Sequence, residues 1–441
     1  MGTTNSANHD GDTPTPVQRR AMRHAIIMQC FATISYLSVF NGLLMLYLTV
    51  LNISPNRIIF YISIPLLVEA VLKIPFAYLA DRFGKKLVGG VGCVIETVGF
   101  GIMALGGFLA EPYGEMCIVV GIVVYALAIT MFAAMWYALL SPIVPESIRG
   151  RFFGRLRFAW QATSIVFFTI CAIQLNKQAP VGVFQIIMGL GTLGLVIRIV
   201  YFFRLPEMEK MSTGGGDSFR RAVATTLRAD GFVSFCCYVF LLSLFTVGAP
   251  VLFSLVEKKV LDFGDDLVLW LGVIFMLGSL IGFFVGGKAV GRWGTKPVFM
   301  ICHFGYGLVM LLFLLRATNP GSLAIVLLAV VHFVYGSVWA ASSIAISTEM
   351  LALIPPDNKS ISTSICTVLM RLGGALSGAL SAWAIQAGFL SEQWTLLGRA
   401  LSQYDTILLG FAIMVIMLVV TLGLVPSVMR KAEWVPRLRQ L

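Results

Sequence analysis

The chain reads as an all-α membrane protein with twelve transmembrane helices in two similar halves, and three observations carry that reading. Hydrophobic residues make up 58% of it and charged residues only 12%, against about 45–50% and about 25% in an average soluble domain. No aqueous fold buries that much apolar surface, so lipid is the solvent. The apolar residues fall in runs near the roughly 20 residues that a spanning helix requires, at 25–50, 57–80, 87–109, 116–140, 152–174, 181–203, 231–256, 266–290, 298–315, 321–347, 361–387 and 405–427. Such lengths exclude barrel strands of about 9–11 alternating residues. Finally, two basic hairpins join neighbouring runs 210 positions apart: Asp81-Arg82-Phe83-Gly84-Lys85-Lys86 and Gly291-Arg292-Trp293-Gly294-Thr295-Lys296. Arg82, Gly84 and Lys86 fall on Arg292, Gly294 and Lys296, the mark of a duplication.

Taken in order, the spans alternate with loops whose charge sets their sidedness. Residues 1–18 are polar and lack the apolar core of a secretory signal peptide, so the first span is expected to stay in the protein. Met1-Gly2-Thr3-Thr4-Asn5-Ser6 fits a myristoylation pattern, although an acyl chain adds little beside twelve spans. An even number of spans puts both termini on one side. Loops on that side hold 23 Lys and Arg residues; the opposite loops hold six, namely Arg57, Lys177, Lys258, Lys259, Arg316 and Arg399. The positive-inside rule makes the first side cytoplasmic, with the protein in the inner (plasma) membrane. The net charge of +11 is then a topology signal, and nothing points to nucleic acid. All eight cysteines lie inside predicted spans without C-x-x-C spacing, as expected of buried apolar residues rather than disulfides or metal ligands.

Six spans precede and six follow the one long cytoplasmic break. The expected organisation is an N-terminal bundle (1–203), a flexible linker (204–230) containing Gly214-Gly215-Gly216, and a C-terminal bundle with a basic tail (231–441). A second echo pairs Pro145-Glu146-Ser147 with Pro356-Asp357-Asn358, each just before a helix, where proline and an acidic or amide residue suit a helix start. Gly278, Gly282 and Gly286 in span eight, and Gly374 and Gly378 in span eleven, repeat every four residues, a spacing that lets membrane helices approach closely.

Here the resemblance becomes specific. The chain resembles a Major Facilitator Superfamily transporter along nearly its whole length. That family's loop after its second helix follows G-x-L-A-D-R-x-G-R-K, and Ala77-Tyr78-Leu79-Ala80-Asp81-Arg82-Phe83-Gly84-Lys85-Lys86 matches it, with Ala77 for the first glycine and Lys85 for an arginine. The second copy keeps Gly287 but has Gly291 in place of the aspartate. Pro145-Glu146-Ser147-Ile148-Arg149-Gly150-Arg151 also resembles the basic loop after the family's fourth helix. The resemblance implies two pseudo-symmetric six-helix bundles around a cavity lined by helices one, four, seven and ten. It also implies a cytoplasmic gate in which Asp81 meets the start of span eleven, aided by Arg82, Gly84, Lys85, Lys86, Arg149 and Arg151. Arg292, Gly294 and Lys296 form a weaker second latch. The plainer reading of these basic residues is that they only fix topology.

Ionisable residues inside the spans cost about 2.5–3.5 kcal/mol each on insertion scales, so each asks for a reason. Glu69 and Lys73 stand i,i+4 on span two, as a self-neutralising ion pair or as a proton-binding carboxylate with its modulator; Lys73 could also reach toward the cytoplasm. Arg371, about ten residues into span eleven, faces either Glu69 or an anionic substrate. His332, Tyr335 and Trp339 share a stripe on span ten, suited to binding a solute or to ordinary aromatic packing. Tyr36, Asn41 and Gln161 are weaker cavity candidates. Glu96, on an outer helix, is expected to have a structural partner, and Arg198 is expected to reach the cytoplasmic surface.

These residues predict a secondary transporter that moves a small polar or anionic solute by alternating access, with protons as a possible coupling ion, no cofactor and no metal, acting as a monomer among membrane lipids. The alternatives are a drug/proton efflux antiporter, against which stands the lack of glycine and proline in span five (Phe158 to Leu175), and a solute receptor or sensor that does not transport. An enzyme is disfavoured, because the four histidines form no ligand-spaced pair and no G-x-S-x-G or phosphate loop is present.

Overall fold

The computed structural model describes residues 14–40, 43–174, 180–208, 219–263, 265–318, 321–354, 358–388, 390–396 and 398–423. Its helices are α1 (Pro16–Phe40), α2 (Leu43–Val50), α3 (Pro55–Phe83), α4 (Lys85–Gly106), α5 (Tyr113–Ile143), α6 (Arg149–Gln174), α7 (Val181–Phe203), α8 (Phe219–Leu227), α9 (Phe232–Thr246), α10 (Ala249–Lys259), α11 (Asp265–Trp293), α12 (Thr295–Leu314), α13 (Gly321–Leu353), α14 (Lys359–Gln386) and α15 (Gln403–Leu418). Among the described residues, ten helices are long and apolar enough to cross a membrane, or eleven with α1 and α2 counted as one broken span. Their outward faces are apolar, with Val71 70% and Phe60 60% exposed, the inverse of a water-soluble surface.

Twelve spans were expected, and α6 accounts for the difference. It is helical throughout, but Arg149, Arg151, Arg155 and Arg157 occupy its first nine residues and shorten its apolar stretch. Two further differences lie in loops. The expected linker contains α8, which is amphipathic: Ala222 and Thr226 are buried one turn apart, and Thr226 shares a 3.2 Å hydrogen bond with Ser362 of α14. Gly214-Gly215-Gly216 and Pro356-Asp357 lie outside the described residues. Between α14 and α15 an antiparallel hairpin forms, β1 (Gln393–Leu396) against β2 (Arg399–Ser402), with Leu396 opposite Arg399. Gly398 takes φ +77° at its turn, a conformation that glycine adopts at no steric cost.

The described residues form two compact units. One holds those of Met1–Phe152 and Ala162–Gly216; the other holds those of Phe153–Gln161 and Asp217–Leu441. In the first, α3 and α4 pack on α5, and α7 packs on α1 and α4. In the second, α11 and α12 pack on α13, α15 packs on α12, and α14 packs on α9. Tyr47, Phe100, Tyr125, Phe184 and Met188 belong to the core of the first unit. In the second, the glycine stripe of α11 lies on the α13 backbone: a Cβ on Gly286 would come within 2.6 Å of the Ala341 Cα. Gly374 of α14 faces Val247, whereas Gly378 has open space beside it, so the expected close contact there does not form at Gly378.

Candidate functional site

The two hairpins that echo each other in sequence are built alike. Gly84 ends α3 with φ +103°, and Gly294 ends α11 with φ +84°. Each donates its N–H back into the helix it closes, Gly84 to the Ala80 carbonyl and Gly294 to the Val290 carbonyl. A side chain at either place would strain this left-handed turn, which explains why glycine stands at both. Around the first turn, Asp81 lies 4.0 Å from Lys85, the Arg82 guanidinium lies 5.4 Å from the Phe83 ring centroid, and the Lys86 N–H donates to Glu207. Around the second, Thr295 donates to the carboxylate of Glu349 at 2.5 Å, Arg292 is exposed and Lys296 is buried. Glu349 thus brings a carboxylate to the copy that lacks an aspartate, from another helix and with no motif to announce it. Arg149 aims its guanidinium at the Val144 and Ser141 carbonyls that end α5; Arg151 is exposed.

Deeper in the first unit, burial selects pairs. Lys73 donates to Glu69 at 2.7 Å with both side chains nearly buried, so Lys73 does not extend to the surface. Arg198 pairs with Glu96 at 2.5 Å, and its guanidinium lies 3.9 Å from the Phe132 ring centroid. The expectation that Arg198 reaches the cytoplasmic surface is therefore corrected. A fully buried carboxylate one helix away holds it inside, since a buried charge is tolerated only when paired. Tyr36 is half-buried beside Phe40, and Asn41 lies outside the described residues. Near the start of α1, Arg19, Arg20, Arg23, His24, Tyr201 and Arg204 line a cavity of about 580 Å³.

In the second unit, the stripe on α13 is enclosed in rings. Tyr335 is fully buried, donates to the Thr246 carbonyl at 2.7 Å and meets Phe253 and Tyr306 edge-on. Trp339 lies against Phe275 and Phe283. His332 bonds the Leu328 carbonyl at 2.9 Å and lies 3.4 Å from Glu257 of α10. Close by, Arg316 makes bonds of 2.7 and 2.9 Å to Asp405, which also caps α15 through Ser402. Glu257 and Asp405 were not singled out by the sequence; each lies next to a polar segment and reads there as a helix end. Arg371 is exposed on α14, and Gln161 is buried. Arg157, which sequence reading treats only as a topology charge, is half-buried and donates to Ser343 and, at 2.7 Å, to Ser347. No group of three His, Cys, Asp or Glu among the described residues is placed to hold a metal.

Comparison with known proteins places this arrangement. A bacterial homologue of the iron transporter ferroportin, in its outward-facing state, superposes with a TM-score of 0.72 at 11% identity, over 92% of this chain and 98% of that one. The human organic anion transporter MFSD10 (TETRAN) gives 0.69 at 11%, over 92% and 100%, and the proton:xylose symporter XylE gives 0.66 at 13%, over 92% and 94%. No curated protein sequence matches significantly. The profile described as Major Facilitator Superfamily matches residues 25–378, and the chain belongs to that family.

Proposed function

We propose that this protein is a secondary transporter that carries a small polar, anionic solute across the inner (plasma) membrane by alternating access, with both termini in the cytoplasm. The family supports the transport of a small solute by alternating access. The anionic preference rests on one observation: basic side chains stand far from any helix end. Arg157 is eight residues into α6 and Arg371 twelve residues into α14, roughly 12 and 18 Å along the axis at the helical rise. Arginine's planar fork suits a carboxylate or phosphate. The related structures include an organic anion transporter and a sugar symporter, so fold alone does not choose between them.

In this reading the chain is two six-helix bundles, 1–203 and 231–441, joined through 204–230, with α6 as the fifth span despite its arginines. Glu69 with Lys73, His332, Tyr335, Trp339, Tyr36, Asn41 and Gln161 serve the solute or its coupling. Asp81, supported by Arg82, Gly84, Lys85, Lys86, Arg149 and Arg151, closes the cytoplasmic side, and Arg292, Gly294 and Lys296 are its weaker counterpart. Asp81→Asn is expected to raise the labelling of cysteine probes placed on the cytoplasmic side; unchanged labelling removes Asp81 from the gate. The solute is sought by a thermal-shift screen of metabolites on purified protein, since a ligand of the native state raises its stability. The stabilising metabolite is expected to be an anion and to lose its effect in Arg371→Ala. Uptake of that compound into proteoliposomes separates a transporter from a receptor. A neutral hit that keeps its full effect in both Arg371→Ala and Glu69→Gln overturns the site.

A further inference from the structure

We infer that Glu257 and His332 form a proton-binding site that holds one proton between them, inside the second unit and apart from the Glu69–Lys73 pair. The argument begins with the histidine. Its Nδ1 lies 2.9 Å from the Leu328 carbonyl oxygen, and a carbonyl only accepts, so Nδ1 carries a hydrogen. In a neutral ring Nε2 is then a bare lone pair. That lone pair faces Glu257 Oε1 at 3.4 Å. Glu257 is 0% exposed, and neither of its oxygens accepts a hydrogen bond from any described residue. A bare carboxylate facing a bare lone pair would be repulsive and unsolvated in a place that penalises either alone.

One proton removes the conflict. It resides on Glu257 and is donated to Nε2, or on Nε2 and is donated to the carboxylate. Either way the count is one, and loss of that proton leaves a buried anion with no donor. The neighbouring charges do not supply the balance. Arg316 is near enough for its charge to act on Glu257, but its hydrogen bonds go to Asp405 from one nitrogen and to the Phe313 carbonyl from the other, and it donates none to Glu257. Tyr335 of α13 is committed to the Thr246 carbonyl, and Tyr306 of α12 packs on Tyr335. Lys258, next along α10, extends to the Phe263 carbonyl, and Lys259 is exposed. If the chain is the transporter proposed above, on which this step rests, a proton taken up here when the unit opens and released when it closes would couple solute movement to a proton gradient.

The site itself is tested without any solute. The purified protein in detergent is titrated and its proton uptake counted. Wild type is expected to show a one-proton step that is lost in Glu257→Gln and that moves by about one pH unit or more in His332→Gln, since two groups that share a proton titrate as a pair. Identical titrations of wild type and Glu257→Gln overturn the site. A step lost in Glu257→Gln but unmoved in His332→Gln also overturns it, because the carboxyl group then binds the proton alone. Should His332→Gln fail to fold, the Glu257→Gln comparison decides. A result in favour of the site joined to failed transport in proteoliposomes would refute the transport reading and leave the proton site standing.

Discussion

The two units bury acids in different ways. In the first, Glu96 meets Arg198 at 2.5 Å and Glu69 meets Lys73 at 2.7 Å: each carboxylate has a permanent cation. In the second, Asp405 has Arg316 at 2.7 Å, but Glu257 has only an imidazole at 3.4 Å, a partner whose charge depends on a proton. The Glu96–Arg198 pair ties α4 to α7, and the Glu69–Lys73 pair closes one turn of α3 on itself. A conditional pair is one whose charge can change. The difference teaches that the two units, alike in their turns at Gly84 and Gly294, differ in what their interiors do with charge.

The same isosteric substitution in each unit is the sharpest way to break this contrast. Glu96→Gln keeps the shape of the side chain and strands the Arg198 guanidinium, which is 2% exposed, without its counter-charge. Removing one partner of a buried pair costs about 3–5 kcal/mol, so unfolding in mixed micelles at neutral pH should show a loss of that order. Replacing both partners together, as in a Glu96→Leu, Arg198→Leu double variant, should recover most of it, because two matched apolar side chains leave no charge to solvate. Full stability of Glu96→Gln would mean that Arg198 finds other partners, and the contrast between the units would fail at its strongest point.

Glu257→Gln is expected to behave oppositely. It removes a carboxylate that has no permanent cation, and the new amide can donate to the Nε2 lone pair of His332. The change near neutral pH should stay within about 1 kcal/mol, the scale of one ordinary hydrogen bond gained or lost. A loss as large as that of Glu96→Gln would show that Glu257 is already an anion with a fixed partner, and the second unit would then resemble the first.

How much of this was legible in the sequence follows from where the signal resides. The spans were readable because length and apolarity are local, and the two matching hairpins because glycine takes a positive φ at no steric cost. Glu69 and Lys73 were readable as a pair because i,i+4 spacing on one helix brings them together without any tertiary knowledge. Glu96 and Arg198 stand 102 positions apart, and only the packing of α4 on α7 joins them. Arg198 was accordingly read as reaching outward. Glu257 escaped for a different reason. It stands next to Lys258 and Lys259, so its polarity reads as the solvated end of a span, whereas the fold turns it inward and the two lysines outward. The arginines of α6 had the reverse effect, since a helix with a basic first third was expected to count as a full span on apolar length alone.

The smallest expected effect sharpens the contrast from outside both interiors. Arg57 donates to both oxygens of Glu115 at 2.8 and 2.7 Å, and Tyr61 donates to the same carboxylate at 2.7 Å. By distance this pair is close to Glu96–Arg198. It differs in environment, because the Arg57 side chain is 56% exposed and the Arg198 side chain 3%. Exposed pairs contribute about 0–1 kcal/mol, since solvent already satisfies both ions and salt screens them. Arg57→Ala should therefore shift the unfolding midpoint little, and what shift there is should shrink further at high salt. Should Arg57→Ala cost as much as Glu96→Gln, geometry alone would set the strength of these pairs. Burial would then lose its place as the quantity that separates a lock such as Glu96–Arg198 from a surface contact, and the reading of Glu257 as a conditional partner would lose its footing too, because that reading depends on what it costs to leave a buried charge alone.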